Sequence, residues 1–215
     1  SKINNVAVAD ISKLDSITFA HGMKVNNQDV SLVTEAHTLI ATATASSSST
    51  LSFTSGIDST YDAYEFRFTN IHPATDGTIL QFQVNAAGAS GFNETITSAQ
   101  FETNHNEADG ETFLGYRTAQ DQAQGTAYQA ILTRDIGSDN DQSASGIMTL
   151  YNPSSTTYVK HFTAVGNGSY YQEYSLSFHT AGYINVTAAI DEISFNMNVG
   201  NIDAGQIKMY GIAKA

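Results

Sequence analysis

The sequence predicts an all-β fold, an antiparallel two-sheet sandwich of the jelly-roll or Greek-key type with an extended N-terminal arm. Apolar and polar residues alternate over short runs, which is the period of a strand with one buried face. Polar segments rich in Gly and Asn separate these runs, and no stretch has the spacing of an amphipathic helix. Only 14% of the residues are charged. We therefore expect about nine or ten strands, organised as an arm at 1–30 and a sandwich at 31–215.

The arm is predicted from a threefold repeat, SKINNVAVADI, SKLDSITFAHG and MKVNNQDVSL. Each copy has a Lys, an aliphatic residue and then Asn or Asp, which predicts a turn followed by a strand of about four residues. A unit this short cannot bury its own apolar side chains, so it needs neighbours in the same chain or in another.

The charge distribution favours the second of these possibilities. Residues 1–29 contain three Lys and three Asp, so the whole net charge of −12 lies in the remainder of the chain. Fully extended, this neutral segment could reach roughly 95 Å at about 3.3 Å per residue. It could also add edge strands to its own domain, but we favour docking to other subunits. The docking residues would be Lys2, Ile3, Val6, Val8, Lys13, Leu14, Ile17, Phe19, Lys24 and Val25.

The sandwich begins with a Thr- and Ala-rich strand within 33–44, followed by a polar loop and a short strand at 51–53. The strongest pattern in the chain comes next, over 61–85, where two runs alternate apolar and polar side chains. Pro73 and the Asp76-Gly77 pair lie between the runs and predict turns. We expect two half-buried strands at the centre of one antiparallel sheet, joined by a loop of about eight residues.

The rest of the chain continues the pattern with shorter strands. They are predicted at 95–101, 113–118, 128–133, 147–151, 158–165, 174–178 and 183–186. A final pair at 193–199 and 207–212 surrounds GNIDAGQ and is expected to form a hairpin.

Few residues in the sequence suggest a metal or cofactor site. Asp135, Asp139 and Asp141 have the spacing of a calcium loop, but Asn140 and Gly146 stand where that loop needs Gly and Glu. The acidic segment 105–111 has no His pair at zinc-ligand spacing, and the chain has no Cys. Both segments are better explained as solvated loops, and we expect no cofactor.

Catalysis is not predicted either. The chain has six His but neither a GxSxG elbow nor an HExxH motif. Glu65 and Arg67 are expected to pair on the surface. Tyr170, Tyr171 and Tyr174 are the densest aromatic group and could stack on sugars, although Tyr is also a common strand residue. A secreted carbohydrate-active enzyme would need a shielded pair of carboxylates, which the sequence does not indicate.

The charge and hydropathy patterns also narrow the possible partners. A net charge of −12 with nine scattered Lys and Arg argues against nucleic acid. No apolar run is long enough to span a membrane. The N-terminus does not have the pattern of a signal peptide, and its leading Ser fits removal of an initiator Met, so we expect synthesis in the cytoplasm.

Three segments resemble a family of tailed-bacteriophage virion proteins from marine and cyanobacterial phages. They are the arm repeat SKINNVAVADISKL, the segment YDAYEFRFTNIHPATDG with its following strand, and the ending ISFNMNVGNIDAGQIKMYGIAKA. The resemblance covers about a third of the 215 residues and leaves 86–190 unmatched.

The resemblance implies a β-sandwich of the virion that is made in the host cytoplasm and has no catalytic residues. It would be a decoration (cement) protein on the capsid or, alternatively, a tail-fibre or baseplate component that binds a host surface glycan. The implied partners are the major capsid protein and neighbouring copies of the chain itself, in a homo-oligomer for which a trimer fits virion symmetry.

Overall fold

The structure is a computed structural model that describes residues 36–131 and 134–213, together with four short strands closer to the N-terminus. By its contacts the chain divides into two units, Ser1–Glu35 and Ala36–Ala215. We call the second unit the body.

The described part of the first unit consists of two antiparallel strand pairs. β1 (Lys2–Ile3) pairs with β2 (Val6–Ala7), and β3 (Lys24–Val25) pairs with β4 (Gln28–Asp29). In the sequence, an Asn-Asn dipeptide separates the two strands of each pair, at the same place in the first and third copies of the repeat. Five of the ten predicted docking residues lie outside the described residues, namely Val8, Lys13, Leu14, Ile17 and Phe19.

The body has thirteen antiparallel strands in two sheets and no helix among the described residues, which confirms the predicted all-β sandwich. The strands are β5 (His37–Thr44), β6 (Leu51–Phe53), β7 (Ala63–Pro73), β8 (Leu80–Ala86), β9 (Ile96–Asn106), β10 (Thr112–Tyr116), β11 (Ala123–Gly125), β12 (Gln129–Ala130), β13 (Ala144–Tyr151), β14 (Lys160–Tyr170), β15 (Tyr174–Ile184), β16 (Ile190–Met197) and β17 (Ile202–Ile212).

The two sheets differ in size. The large sheet has the order β10-β9-β15-β14-β13-β7-β17-β5, with β11 also paired to β9. The small sheet has the order β12-β8-β16-β6. Their inner faces enclose a core in which Phe195 of β16 lies 5.4 Å, centroid to centroid, from both Phe66 and Phe68 of β7. Burying each of these rings contributes about 2–3 kcal/mol, so this contact between the sheets is a major source of stability.

The prediction that the two strands of 61–85 share one sheet is wrong. β7 lies inside the large sheet and β8 inside the small one, so they belong to opposite layers of the sandwich. Alternation shows that each strand buries one face. Two such strands can pair side by side in one sheet or lie in two sheets that pack face to face, and both arrangements bury that face. The expected polar face of β8 is also buried, because Gln83 donates to the carbonyls of Glu94, Thr126 and Ala127 in the covering loops.

The predicted C-terminal hairpin is wrong for the same reason. β16 pairs with β8 and β6 in the small sheet, whereas β17 pairs with β7 and β5 in the large sheet. The GNIDAGQ segment therefore links the two sheets at the point where β17 begins.

Two strands predicted at 174–178 and 183–186 form the single strand β15. The segment between them continues the strand, and its Gly182 is needed for packing. A Cβ there would lie 2.5 Å from the Thr97 carbonyl oxygen and 2.8 Å from the Phe162 ring. β14 likewise continues beyond its predicted end to Tyr170, so β14 and β15 form a long hairpin.

Candidate functional site

The tip of the β14–β15 hairpin carries the aromatic group singled out in the sequence. Tyr170 and Tyr174 are paired in register, and the three residues between them make the turn, with Glu173 at a φ of 64°. The Tyr170 ring lies 4.6 Å from that of Tyr171 and 5.4 Å from that of Tyr174, centroid to centroid. We call Tyr170, Tyr171 and Tyr174 the tyrosine ridge.

Grooves lie on both sides of Tyr170 and Tyr174. The first, which we call the arginine groove, has a volume of about 610 Å³. It is lined by Asn104, Gly110, Glu111, Thr112, Phe113, Arg117, Arg134, Tyr170, Gln172 and Tyr174. The second, which we call the acidic groove, has a volume of about 510 Å³ and includes Glu107, Asp141 and Glu173 in its lining. Ligand sites are concave and combine aromatic side chains with a small number of polar groups, so both grooves are candidates.

The floor of the arginine groove is a buried ion-pair cluster. Glu102 of β9 is 1% exposed, and its Oε1 accepts hydrogen bonds from Arg117 Nη2 and from Arg134 Nε, the latter at 3.1 Å. Arg134 also donates through Nη1 to Asp135 at 2.6 Å. Both arginine side chains remain 23% exposed, so they connect the buried carboxylate to the groove surface.

Aromatic rings hold both guanidinium groups in place. Arg117 Cζ lies 4.3 Å from the centroid of the Phe113 ring, and Arg134 Cζ lies 5.2 Å from that of Tyr170. Burial lowers the pKa of Arg134, but the neighbouring carboxylates of Glu102 and Asp135 outweigh it and raise the pKa above its usual value. The groove therefore presents fixed, charged donors between aromatic walls.

Several buried polar atoms of this cluster have no partner among the described residues. They include Arg117 Nε, Glu102 Oε2, Thr180 Oγ1 and both amide atoms of Gln100. Gln100 and Thr180 are cross-strand neighbours on the inner face of the large sheet. Each unpaired buried polar group lowers the stability of the fold by about 1–3 kcal/mol, so we expect ordered water to hydrogen-bond to these atoms.

The pKa values of Tyr170 and Tyr174 are both raised above the usual value for tyrosine. Burial and a hydrogen bond with Tyr171 raise the pKa of Tyr170. A hydrogen bond to the Glu111 carboxylate raises the pKa of Tyr174, whose hydroxyl is the donor. These side chains thus offer neutral phenols and apolar ring faces to a ligand.

The loop that suggested a calcium site is anchored to the body and is only partly solvated. Ile136 is fully buried and forms bridges to Thr78 and Tyr170, while Asp135 pairs with Arg134. No group of three or more His, Asp or Glu among the described residues is arranged to hold a metal ion.

The opposite, outer face of the large sheet carries a row of exposed apolar side chains. Ile147, Val165, His179, Phe101 and Tyr116 are successive neighbours by strand register. The Phe101 ring stacks on His179 with centroids 5.2 Å apart and an interplanar angle of 9°. The four hydrophobic members are between 38% and 53% exposed. We call this set the outer row; contiguous exposed apolar surface of this kind often marks a protein contact.

Two features that the sequence indicated are present in the structure. The Glu65–Arg67 surface pair is present, with Arg67 Nε donating to Glu65 Oε1 and its guanidinium stacked 4.5 Å from the Tyr210 centroid. The three tyrosines do lie together. Sequence reasoning missed Glu102, Arg117 and Arg134, which come together only because β9 and two distant loops meet.

The described part of the chain contains no helix that is long and apolar enough to span a membrane. Comparisons of the chain with protein-family models, with curated proteins and with solved structures found no match.

Proposed function

We propose that the chain is a non-enzymatic structural protein of a tailed-phage virion, a capsid decoration (cement) protein that binds the assembled shell through residues 1–30. The division of the chain at residue 35 into a short repeat-containing unit and an all-β body is the observation that carries this proposal. The two segments of the family resemblance that lie in the body include β7, β8, the larger part of β16 and β17, which are strands of both sheets.

Stabilisation of the shell would follow from mass action, because a protein that binds only the assembled state favours that state. The arm would gain strand partners from the major capsid protein and from neighbouring copies, as in β-strand addition. The outer row offers an apolar surface for contact between copies in a homo-oligomer. The acidic body would face solvent at the virion surface.

Deletion of residues 1–29 tests this proposal. We expect the truncated chain to fold but to lose binding to undecorated shells of its own phage in a co-sedimentation assay. Replacing Lys2, Lys13 and Lys24 with Gln should weaken binding, whereas Lys208→Gln on the body should not. Full binding by the truncated chain would show that the arm is not the attachment site.

The tyrosine ridge favours a second candidate, a tail-fibre or baseplate component that binds a host surface glycan. Aromatic rings that are partly exposed beside polar grooves suit a sugar, whose C–H face packs on a ring while its hydroxyls meet amides and charged groups. This function does not exclude a place on the capsid, because a decorating subunit can also bind the cell surface.

Binding of the purified protein to host envelope fragments tests the glycan candidate. Changing Tyr170 and Tyr171 to Ala should abolish the binding. Tyr158→Ala is the matched control, since Tyr158 is 70% exposed and lies outside both grooves. Equal binding by all variants would exclude the tyrosine ridge as the glycan site.

A further inference from the structure

We infer that the arginine groove binds a negatively charged sugar, whose ring packs against Tyr170 and Tyr174 while its anionic group is held by Arg117. This inference rests on the proposed glycan-binding role of the tyrosine ridge and names the chemical class of the ligand.

The arginines of the body are concentrated on one side of the ridge. Residues 36–213 include five Lys and Arg, in a protein of net charge −12. One of the five, Lys160, is fully buried and donates to the carbonyls of Val186, Thr187 and Ala188. Two of the other four line the arginine groove, where Glu111 is the one carboxylate of the lining. The acidic groove across the ridge has Glu107, Asp141 and Glu173 instead. Glu102 and Asp135 pair with the two arginines and offset their charge, so the arginine groove differs from the acidic groove in offering directional N–H donors at its surface.

Arg117 is prepared for an anionic ligand. Its Nη2 donates to Glu102 and its Nε is buried, while 23% of the side chain remains exposed in the groove, where the rest of the guanidinium can meet a ligand. A guanidinium has five N–H groups in a fixed fork that matches the two oxygens of a carboxylate or sulfate. Glu102 below and Phe113 above restrict its orientation, so little conformational entropy is lost on binding.

The remaining lining suits a saccharide. Tyr170 and Tyr174 provide ring faces, and Asn104 and Gln172 provide amides that can both donate and accept for sugar hydroxyls. A nucleic acid would also combine aromatic stacking with arginine contacts. However, it carries a phosphate on every nucleotide and needs many more cations than the two in this groove. A single charged sugar fits better.

The test is a titration of the full-length protein with methyl glucuronide, methyl glucoside and glucose 6-sulfate, followed by NMR chemical shifts. We expect the charged sugars to bind about tenfold or more tightly than methyl glucoside, because each charge-assisted hydrogen bond strengthens the contact. The glucuronide and the sulfate distinguish a carboxylate ligand from a sulfated one.

Arg117→Gln should reduce the affinity for the charged sugars about tenfold and leave that for methyl glucoside unchanged. Arg67→Gln is the matched control, since Arg67 also pairs with a Glu and stacks on a ring but lies on the other face of the sheet. If circular dichroism shows that Arg117→Gln is unfolded, Arg117→Lys keeps the charge and should still lower the affinity several-fold, because the fork is lost.

The possible results distinguish failure of this inference from failure of the proposed glycan-binding function. Equal affinity for charged and neutral sugars, both lost in Tyr170→Ala, would overturn the anionic specificity and leave glycan binding intact. Absence of binding to every sugar and to host envelope would overturn both. Tighter binding of a single-stranded oligonucleotide than of any sugar would also overturn the inference.

Discussion

Tyr64 shows how a single side chain connects the core with the surface. Its ring is fully buried against the Tyr61 ring, while its hydroxyl accepts a hydrogen bond from the Asp58 amide at 2.8 Å and donates to the Asp58 carbonyl at 3.0 Å. This contact fixes the loop that leads into β7. Burial, together with the nearby Asp58, raises the pKa of Tyr64 to about 12.

The raised pKa of Tyr64 predicts a loss of stability at alkaline pH. The folded state holds the phenol proton more tightly than the unfolded state, so this stabilisation is present below pH 10 and is lost as the pH rises from 10 towards 12. We expect the wild type to lose up to about 2 kcal/mol over this range in urea unfolding.

Tyr64→Phe should unfold about 1 kcal/mol more easily at pH 7 and should lack most of this alkaline decrease. Tyr158→Phe, at an exposed site, is the control. An unchanged alkaline profile in Tyr64→Phe would contradict the assignment.

Two Glu–Arg arrangements on opposite faces of the large sheet give a second prediction at the residue scale. Glu102 is buried beneath Arg117 and Arg134, whereas Glu65 pairs with Arg67 on the outer face, where the Arg67 side chain is 40% exposed. Glu102→Ala should cost about 3 kcal/mol, because it leaves two half-buried cations without their shared partner. Glu65→Ala should cost less than about 1 kcal/mol. Chemical denaturation of both variants measures the difference; similar costs would mean that burial does not matter here.

At the scale of elements, β15 shows that close packing can require a glycine in the middle of a strand. Gly182→Ala should destabilise the protein by about 1–3 kcal/mol, since the added methyl collides with the Thr97 carbonyl and the Phe162 ring. Gly110→Ala is the matched control, because a Cβ there meets just one atom, the Asn106 Nδ2 at 3.8 Å. Thermal unfolding of the two variants is the measurement. If Gly182→Ala were as stable as the control, the close packing of β14 on β15 would be in doubt.

The elements also show what the sequence could predict. The strands β7, β8 and β13 lie close to their predicted positions, because one buried face per strand dictates that period, whereas β17 begins five residues before its predicted start. The assignment of strands to sheets was not predictable, since β7 and β8 lie in different sheets although both show the same alternation. Partner choice depends on residues far apart in the chain.

β9 shows why the candidate site escaped sequence reasoning. Successive residues of β9 point to opposite faces of the sheet, so Phe101 lies on one face and Gln100 and Glu102 lie on the other. Hydrophobicity alone would bury the face with Phe101. In the structure Phe101 is exposed and stacks on His179, while Gln100 and Glu102 are buried beneath the loops that supply Arg117 and Arg134. Only the tertiary arrangement makes a buried Glu acceptable, because both of its partners come from other segments. The tyrosine ridge was visible because its members are close in sequence.

For the whole molecule, charge is the feature that the sequence determines most directly. Between residues 36 and 215 there are 17 Asp and Glu against six Lys and Arg, a net charge of −11 (6 − 17 = −11). Several of the cations are already engaged with carboxylates or with carbonyls. The remaining acidic surface repels itself in the folded state more than in the expanded unfolded chain. This repulsion also keeps separate molecules apart, which is compatible with the proposed role in a virion.

Screening of this repulsion gives the last prediction. The Debye length falls from about 30 Å at 0.01 M salt to about 3 Å at 1 M, so NaCl should remove most of the repulsion between distant carboxylates. We expect the free energy of unfolding at pH 7 to rise by about 1 kcal/mol between 10 mM and 500 mM NaCl. The same series near pH 4.6, the sequence isoelectric point, is the control, because the net charge there is close to zero and the salt dependence should disappear. A decrease in stability with NaCl at pH 7 would instead mean that the buried Glu102 cluster and the other ion pairs outweigh the repulsion of the acidic surface.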